Sequence, residues 1–131
     1  MALYYRIYDD EREEWVAKDV YLAPNGDLVA VKQIMGLFKA PIILDRGRFI
    51  CHRSIGLQDV NEVEVFEGDY IRAIVDEDKS VTGLVVFAEE LSAYIILIEE
   101  TNEYYTLGCD VSELIEVVGN VFDGIGDKKY N

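Results

Sequence analysis

The chain is poor in the residues that build metal centres and covalent cross-links. Its 131 residues include two cysteines and one histidine. Cys51 and Cys109 are far apart and form no CxxC spacing, so a Cys/His zinc site would need ligands of other kinds. No basic segment followed by an apolar run opens the sequence, so no signal peptide is expected. No apolar stretch approaches the ~20 residues of a membrane-spanning helix. These absences predict a soluble cytoplasmic protein with reduced thiols, no cofactor and no membrane partner. Positive charge is the other shortage: twelve Lys/Arg stand against twenty-six Asp/Glu, a net charge of −14.

That charge is unevenly spread. Residues 1–60 carry eight basic and nine acidic side chains, whereas residues 61–131 carry four and seventeen. An acidic surface repels phosphate, which argues against a nucleic-acid groove in the second half. What is abundant is apolar: half the residues are hydrophobic, with nine Tyr, five Phe and one Trp set in short β-branched runs. Such a chain folds, and it favours strands over helices.

The runs and their punctuation predict a mainly β (β or α+β) fold. Leu3–Tyr8 reads as an opening strand, followed by a charged, solvated connection from Asp9 to Glu14. Residues 13–18 tolerate a short helix. Pro24-Asn25-Gly26 is hairpin chemistry, with Pro presetting φ and Asn-Gly supplying positive φ. Strands are expected at 28–32, 42–44, 49–53, 70–75, 81–87, 94–98, 104–107 and 114–122, and Asp110 and Glu113 are spaced to cap one helical turn. The expected organisation is one unit over 1–131, divided into a β-rich layer at 1–55 and a small SH3-like barrel at 56–123. A flexible tail is expected at 124–131.

The passage from Gly56 to Asp69 is the candidate site. Gly56 and Asp59 suit a tight turn, and Glu67-Gly68-Asp69 suits a second one before a strand. Asp59, Glu67 and Asp69 could also act as hard oxygen ligands, but their spacing matches no EF-hand loop and local turn chemistry explains them. Cys51 and His52 are neighbours on a strand, so their side chains diverge and cannot form a nucleophile–base pair. No GxSxG, HExxH or P-loop pattern is present. Tyr4, Tyr5, Tyr8 and Trp15 interleave with Arg6 and Arg12; beside the acids at 9–14 they read as a core or an oligomer interface rather than a base-stacking platform. Arg46, Arg48, His52 and Arg53 form the one basic cluster.

These residues carry a resemblance. The stretch Ile55-Gly56-Leu57-Gln58-Asp59-Val60-Asn61-Glu62-Val63-Glu64-Val65-Phe66-Glu67-Gly68-Asp69 resembles the central signature of the YopX family of phage and prophage proteins. Matching positions are Gly56, Leu57, Asp59, Asn61, Val65, Phe66, Glu67, Gly68 and Asp69. Arg6-Ile7-Tyr8-Asp9 is similar to that family's opening, and Ile115 to Phe122 to its closing segment with a central Gly-Asn. The departures are Ile55 for Thr, Tyr8 for Trp and Glu62 for Gly. Glutamate is strained in a left-handed turn, so the loop is expected to differ there. The resemblance implies a small, mainly β phage protein that self-associates, and it brings no catalytic residues.

Three readings follow. The first is a non-enzymatic accessory protein, homo-oligomeric or bound to a host protein. The second is an acidic mimic of nucleic acid that captures a basic host protein through Glu89, Glu90, Glu99, Glu100 and Glu103. The third is direct nucleic-acid binding by the small barrel, which the charge opposes.

Overall fold

The computed structural model describes residues 5–16, 20–34, 36, 38–107 and 114–125, with backbone alone at 20–22, 31–34 and 38–40. The fold is mainly β, and no α-helix occurs among these residues. Among the described residues no helix is long and apolar enough to cross a membrane. Two compact units divide the chain, one at Tyr5–His52 and one at Arg53–Asn131, which also takes in residues 1–4.

The first unit begins with β1 (Tyr5–Asp9) and β2 (Glu14–Trp15), an antiparallel pair with Tyr8 opposite Trp15. A strand therefore replaces the short helix tolerated at Glu14 and Trp15. Asp9 is not part of a solvated connection. It is buried, and its Oδ1 accepts the N–H groups of Glu11 at 3.1 Å and Arg12 at 3.3 Å, closing the turn after β1. Strand β3 (Val20–Leu22), β4 (Leu28–Ile34) and β5 (Phe38–Leu44) form a separate antiparallel sheet in that order. The expected Asn-Gly hairpin joins β3 to β4, with Gly26 at φ +91°. Strand β6 (Phe49–Gln58) lies beside β1, giving the order β2-β1-β6, and runs on into the second unit.

The burial of Asp9 depends on one partner. Arg48 Nε donates to its Oδ1 at 2.9 Å and Nη2 to its Oδ2 at 2.8 Å, a two-pronged match of guanidinium to carboxylate. The Arg48 bond is the main reason that the Asp9 carboxyl is held down at about 2; the turn amides add to it and burial opposes it. A depressed carboxyl stabilises the fold fully above its unfolded value near ~4, and that contribution disappears as pH falls through the folded value. Carboxyl-carbon NMR titration should place the Asp9 midpoint near 2 in the native chain and near ~4 in Arg48→Met, the unperturbed range.

In the second unit β6 pairs with β7 (Glu64–Phe66). The other strands are β8 (Asp69–Asp76), β9 (Lys79–Ala88), β10 (Ala93–Ile98), β11 (Glu103–Thr106), β12 (Ile115–Asn120) and β13 (Gly124–Ile125). They form one sheet in the order β11-β10-β9-β8-β12-β13, curled into a half-barrel. The register explains the curl. Leu84 lies opposite Tyr70 of β8 and also opposite Leu97 of β10, so β8 spans one half of β9 and β10 the other. Inside lie Val65, Ile71, Ala73, Val85, Ile96 and Ile115, all buried. Alternation places Ile71, Ala73 and Val85 on one face, as period-2 strands require.

Strand boundaries shift in several places: β5 starts at Phe38, β6 runs on to Gln58, and two further changes lie toward the C-terminus. The closing strand ends at Asn120, not Phe122, because the buried Asn120 Oδ1 accepts the amides of Phe122 and Asp123 and turns the chain. The tail expected from 124 opens with β13, which returns onto Gly119 and Asn120. The helical turn read at Asp110–Glu113 lies outside the described residues.

Candidate functional site

The signature passage does not begin with a turn. Gly56 lies within β6 at φ +82°, where three residues between Ser54 and Gln58 oppose one residue of β7. This is a β-bulge at a glycine, and it re-aims the strand toward the loop that follows. That loop, 59–63, is built around Asp59. Its Oδ1 accepts the N–H groups of Asn61 at 2.8 Å and Val63 at 2.9 Å. Its Oδ2 reaches out of the loop and accepts the Val117 N–H at 2.9 Å. The Val60 amide adds a bond to the Ile115 carbonyl at 3.0 Å. One buried carboxylate thus shapes the loop and fastens it along the outer edge of β12.

Glu62 stands at φ +64°. The loop therefore keeps the left-handed residue of the family signature, contrary to the difference expected from replacing its glycine. The Asp59 bonds on both sides hold glutamate in a conformation it rarely adopts. Glu62→Gly should relieve that strain and stabilise the protein by about 0.5–1 kcal/mol. Urea denaturation with an unchanged slope checks this; a lower midpoint would refute it.

The second half of the signature is a two-residue turn at 67–68. Gly68 has φ +85°, its N–H bonds to Val85 O at 3.0 Å, and its carbonyl accepts the Val121 amide at 2.9 Å. Asp69 is buried and accepts the Phe66 N–H at 2.8 Å. Glu67 Oε1 accepts the Arg53 amide at 3.1 Å and lies 3.5 Å from the Arg53 guanidinium. Glu67 Oε2 accepts the Tyr94 hydroxyl at 3.3 Å. Burial first, and then the Glu67 charge, push the Tyr94 phenol up, so it remains a donor. Among the described residues no three His, Cys, Asp or Glu side chains gather as a metal-binding group. The three acids proposed as alternative ligands are instead joined to backbone amides.

Of the other candidates, the structure gathers Arg6, Tyr8, Trp15 and His52 and separates the remaining charged residues. Tyr8 is 7% exposed and stacks edge-on against Trp15 at 5.0 Å, which leaves it little surface for a partner. Arg6 covers the Trp15 ring at 4.7 Å and donates to His52 Nδ1 at 3.4 Å. Tyr5 is half-buried, and Tyr4 and Cys109 lie outside the described residues. The basic residues make separate contacts: Arg46 with the Gly26 carbonyl, Arg48 with Asp9 and Glu11, Arg53 with Glu67. The five acids of the mimicry reading fall at opposite ends of β10. Glu89 and Glu90 occupy a 3-10 turn before it, and Glu99, Glu100 and Glu103 follow it.

An apolar group around the Asp59 loop escaped the reading of the sequence. Leu57, Val60, Val63 and Leu114 are all between 41% and 56% exposed, and the Val60–Ile115 bond brings Leu114 beside the loop. Two valines in an otherwise polar turn are the signal that could have revealed it.

Comparison with known proteins agrees with this geometry. No curated protein matches the chain. Two crystal structures share its fold: protein yopX from Bacillus subtilis, at 15% identity and TM-score 0.55, covering 90% of this chain and 91% of that one, and protein EF1440 from Enterococcus faecalis, at 16% identity and TM-score 0.51, covering 93% and 94%. The family described as YopX protein matches residues 4–124, from the opening strand through the signature loops to the Gly-Asn turn, and this chain belongs to that family.

Proposed function

We propose that the protein is a non-enzymatic accessory protein of phage or prophage origin that acts by binding proteins, itself included. The observation carrying this reading is the exposure of Val60 and Val63 on a loop whose polar side chain is spent on holding it rigid, with Leu57 and Leu114 exposed on the chain segments beside it. A rigid apolar surface binds without first paying to become ordered. Around it the signature acids bond to amides, which supports a structural rather than a chemical use of that pattern. Sedimentation velocity across the micromolar range should show concentration-dependent association of the wild-type chain, weakened in Val60→Asp. A strict monomer throughout would remove self-association from the reading.

A further inference from the structure

The hairpin of β4 and β5 is unusual in what its sequence contains. From Leu28 to Leu44 there is no acidic residue, and Lys32 and Lys39 are its charges. The rest of the chain holds ten basic residues against twenty-six acidic ones. The two strands pair over seven rungs, from Leu28 opposite Leu44 to Ile34 opposite Phe38, a ribbon roughly 23 Å long. Its sheet is separate from the other two.

A ribbon with one face in water alternates apolar and polar residues. This one does not. Ile42 lies opposite Ala30 and Ile43 opposite Val29. Being adjacent on a strand, the two isoleucines point to opposite faces. Ile42 is 38% exposed and Ile43 68%. Both faces of the hairpin therefore present apolar side chains to water at the same level. Its outer edge is ill suited to strand addition, since Pro41 sits mid-strand opposite Val31 and has no N–H to give. Any partner must meet a face.

We infer that the β4–β5 hairpin docks on the Arg53–Asn131 unit of a second copy of this chain. This rests on the self-association reading above and specifies its two surfaces. Charge complementarity selects the occupant: the face of Ile43 also holds Lys39 and no acid, Lys32 lying on the other face with Ile42, and it meets a unit with five basic and eighteen acidic residues, which also carries the apolar Leu57, Val60, Val63 and Leu114. Such a contact is head to tail, with different surfaces on the two copies.

The test is sedimentation velocity on four full-length chains: wild type, Ile43→Asp, the double variant Lys32→Glu/Lys39→Glu, and Val60→Asp. Circular dichroism melts establish that each is folded. Association of each variant should weaken at least roughly tenfold relative to wild type. An equimolar mixture of Ile43→Asp and Val60→Asp should recover a dimer, because one intact hairpin then meets one intact acidic unit. Should wild type stay monomeric, self-association itself fails. If wild type associates and the hairpin variants associate equally well, the hairpin assignment fails and self-association survives. Association by Val60→Asp at wild-type strength, or no recovery on mixing, overturns the head-to-tail arrangement. The charge-reversed double variant keeps the test valid should Ile43→Asp melt early.

Discussion

Asp59→Asn should lower the stability of this protein by about 2–3 kcal/mol although it changes neither size nor shape. The carboxylate accepts on both oxygens at once, from Asn61 and Val63 on one and from Val117 on the other. An asparagine has one acceptor oxygen. If it faces the loop, its NH2 confronts the Val117 N–H; if it turns, the NH2 confronts two amides. Either way a donor meets a donor in a site only 7% exposed. The thermal midpoint should fall by roughly 7–11 °C for a chain of this length. Asp59→Ala should cost at least as much, since it orphans three amides. A loss below ~0.5 kcal/mol in Asp59→Asn, the usual result at a surface position, would refute this account of the loop.

Gly83→Ala is expected to cost about 2–4 kcal/mol, a large penalty for one methyl group. Gly83 is buried within β9 opposite Ile71. A Cβ there would stand 2.5 Å from Ile96 Cγ2 and 2.7 Å from the Leu97 carbonyl oxygen. The isoleucine can rotate; the carbonyl belongs to the neighbouring strand and cannot move without opening the sheet. Glycine at this point lets the end of β10 approach β9 closely within the curled sheet. Urea denaturation measures the loss, and Gly83→Val should be worse still. A near-neutral Gly83→Ala would mean that the strands stand farther apart than described.

Much of this architecture could be read from the residues. Val81 to Phe87, Tyr94 to Ile98 and the Asn-Gly hairpin declare themselves through β-branched runs and turn chemistry, whereas the turn after Asn120 did not, since 114–122 read as unbroken strand. What could not be read was longer in range. The need for glycine at position 83 was one such feature, because the crowding that requires it comes from Ile96 and Leu97, more than ten residues away. Asp9 looked solvated among five other charged residues, because the Arg48 that permits its burial is 39 positions distant. Glu62 looked incompatible with a left-handed turn, since the bonds that impose it are made by Asp59. At the site, Gly56 was legible as a positive-φ residue but not as a bulge. The two exposed valines come beside Leu114 only through the Val60–Ile115 bond, between residues 55 positions apart in the chain.

The fastening of the Asp59 loop to β12 has a consequence for how the protein behaves in crowded surroundings. Strand β12 lies near the end of the six-stranded sheet, where uncovered backbone groups invite another chain to add itself. Here the Val117 amide is taken by Asp59, the Ile115 carbonyl by Val60, and the far end of the strand by Gly124 and Ile125. The loop acts as a stopper in place of a neighbouring strand. Withdrawing it exposes an apolar stretch, Ile115-Glu116-Val117-Val118, in the extended form that fibril growth copies. Asp59→Asn should therefore aggregate faster than wild type below its own thermal midpoint, which light scattering at constant temperature checks.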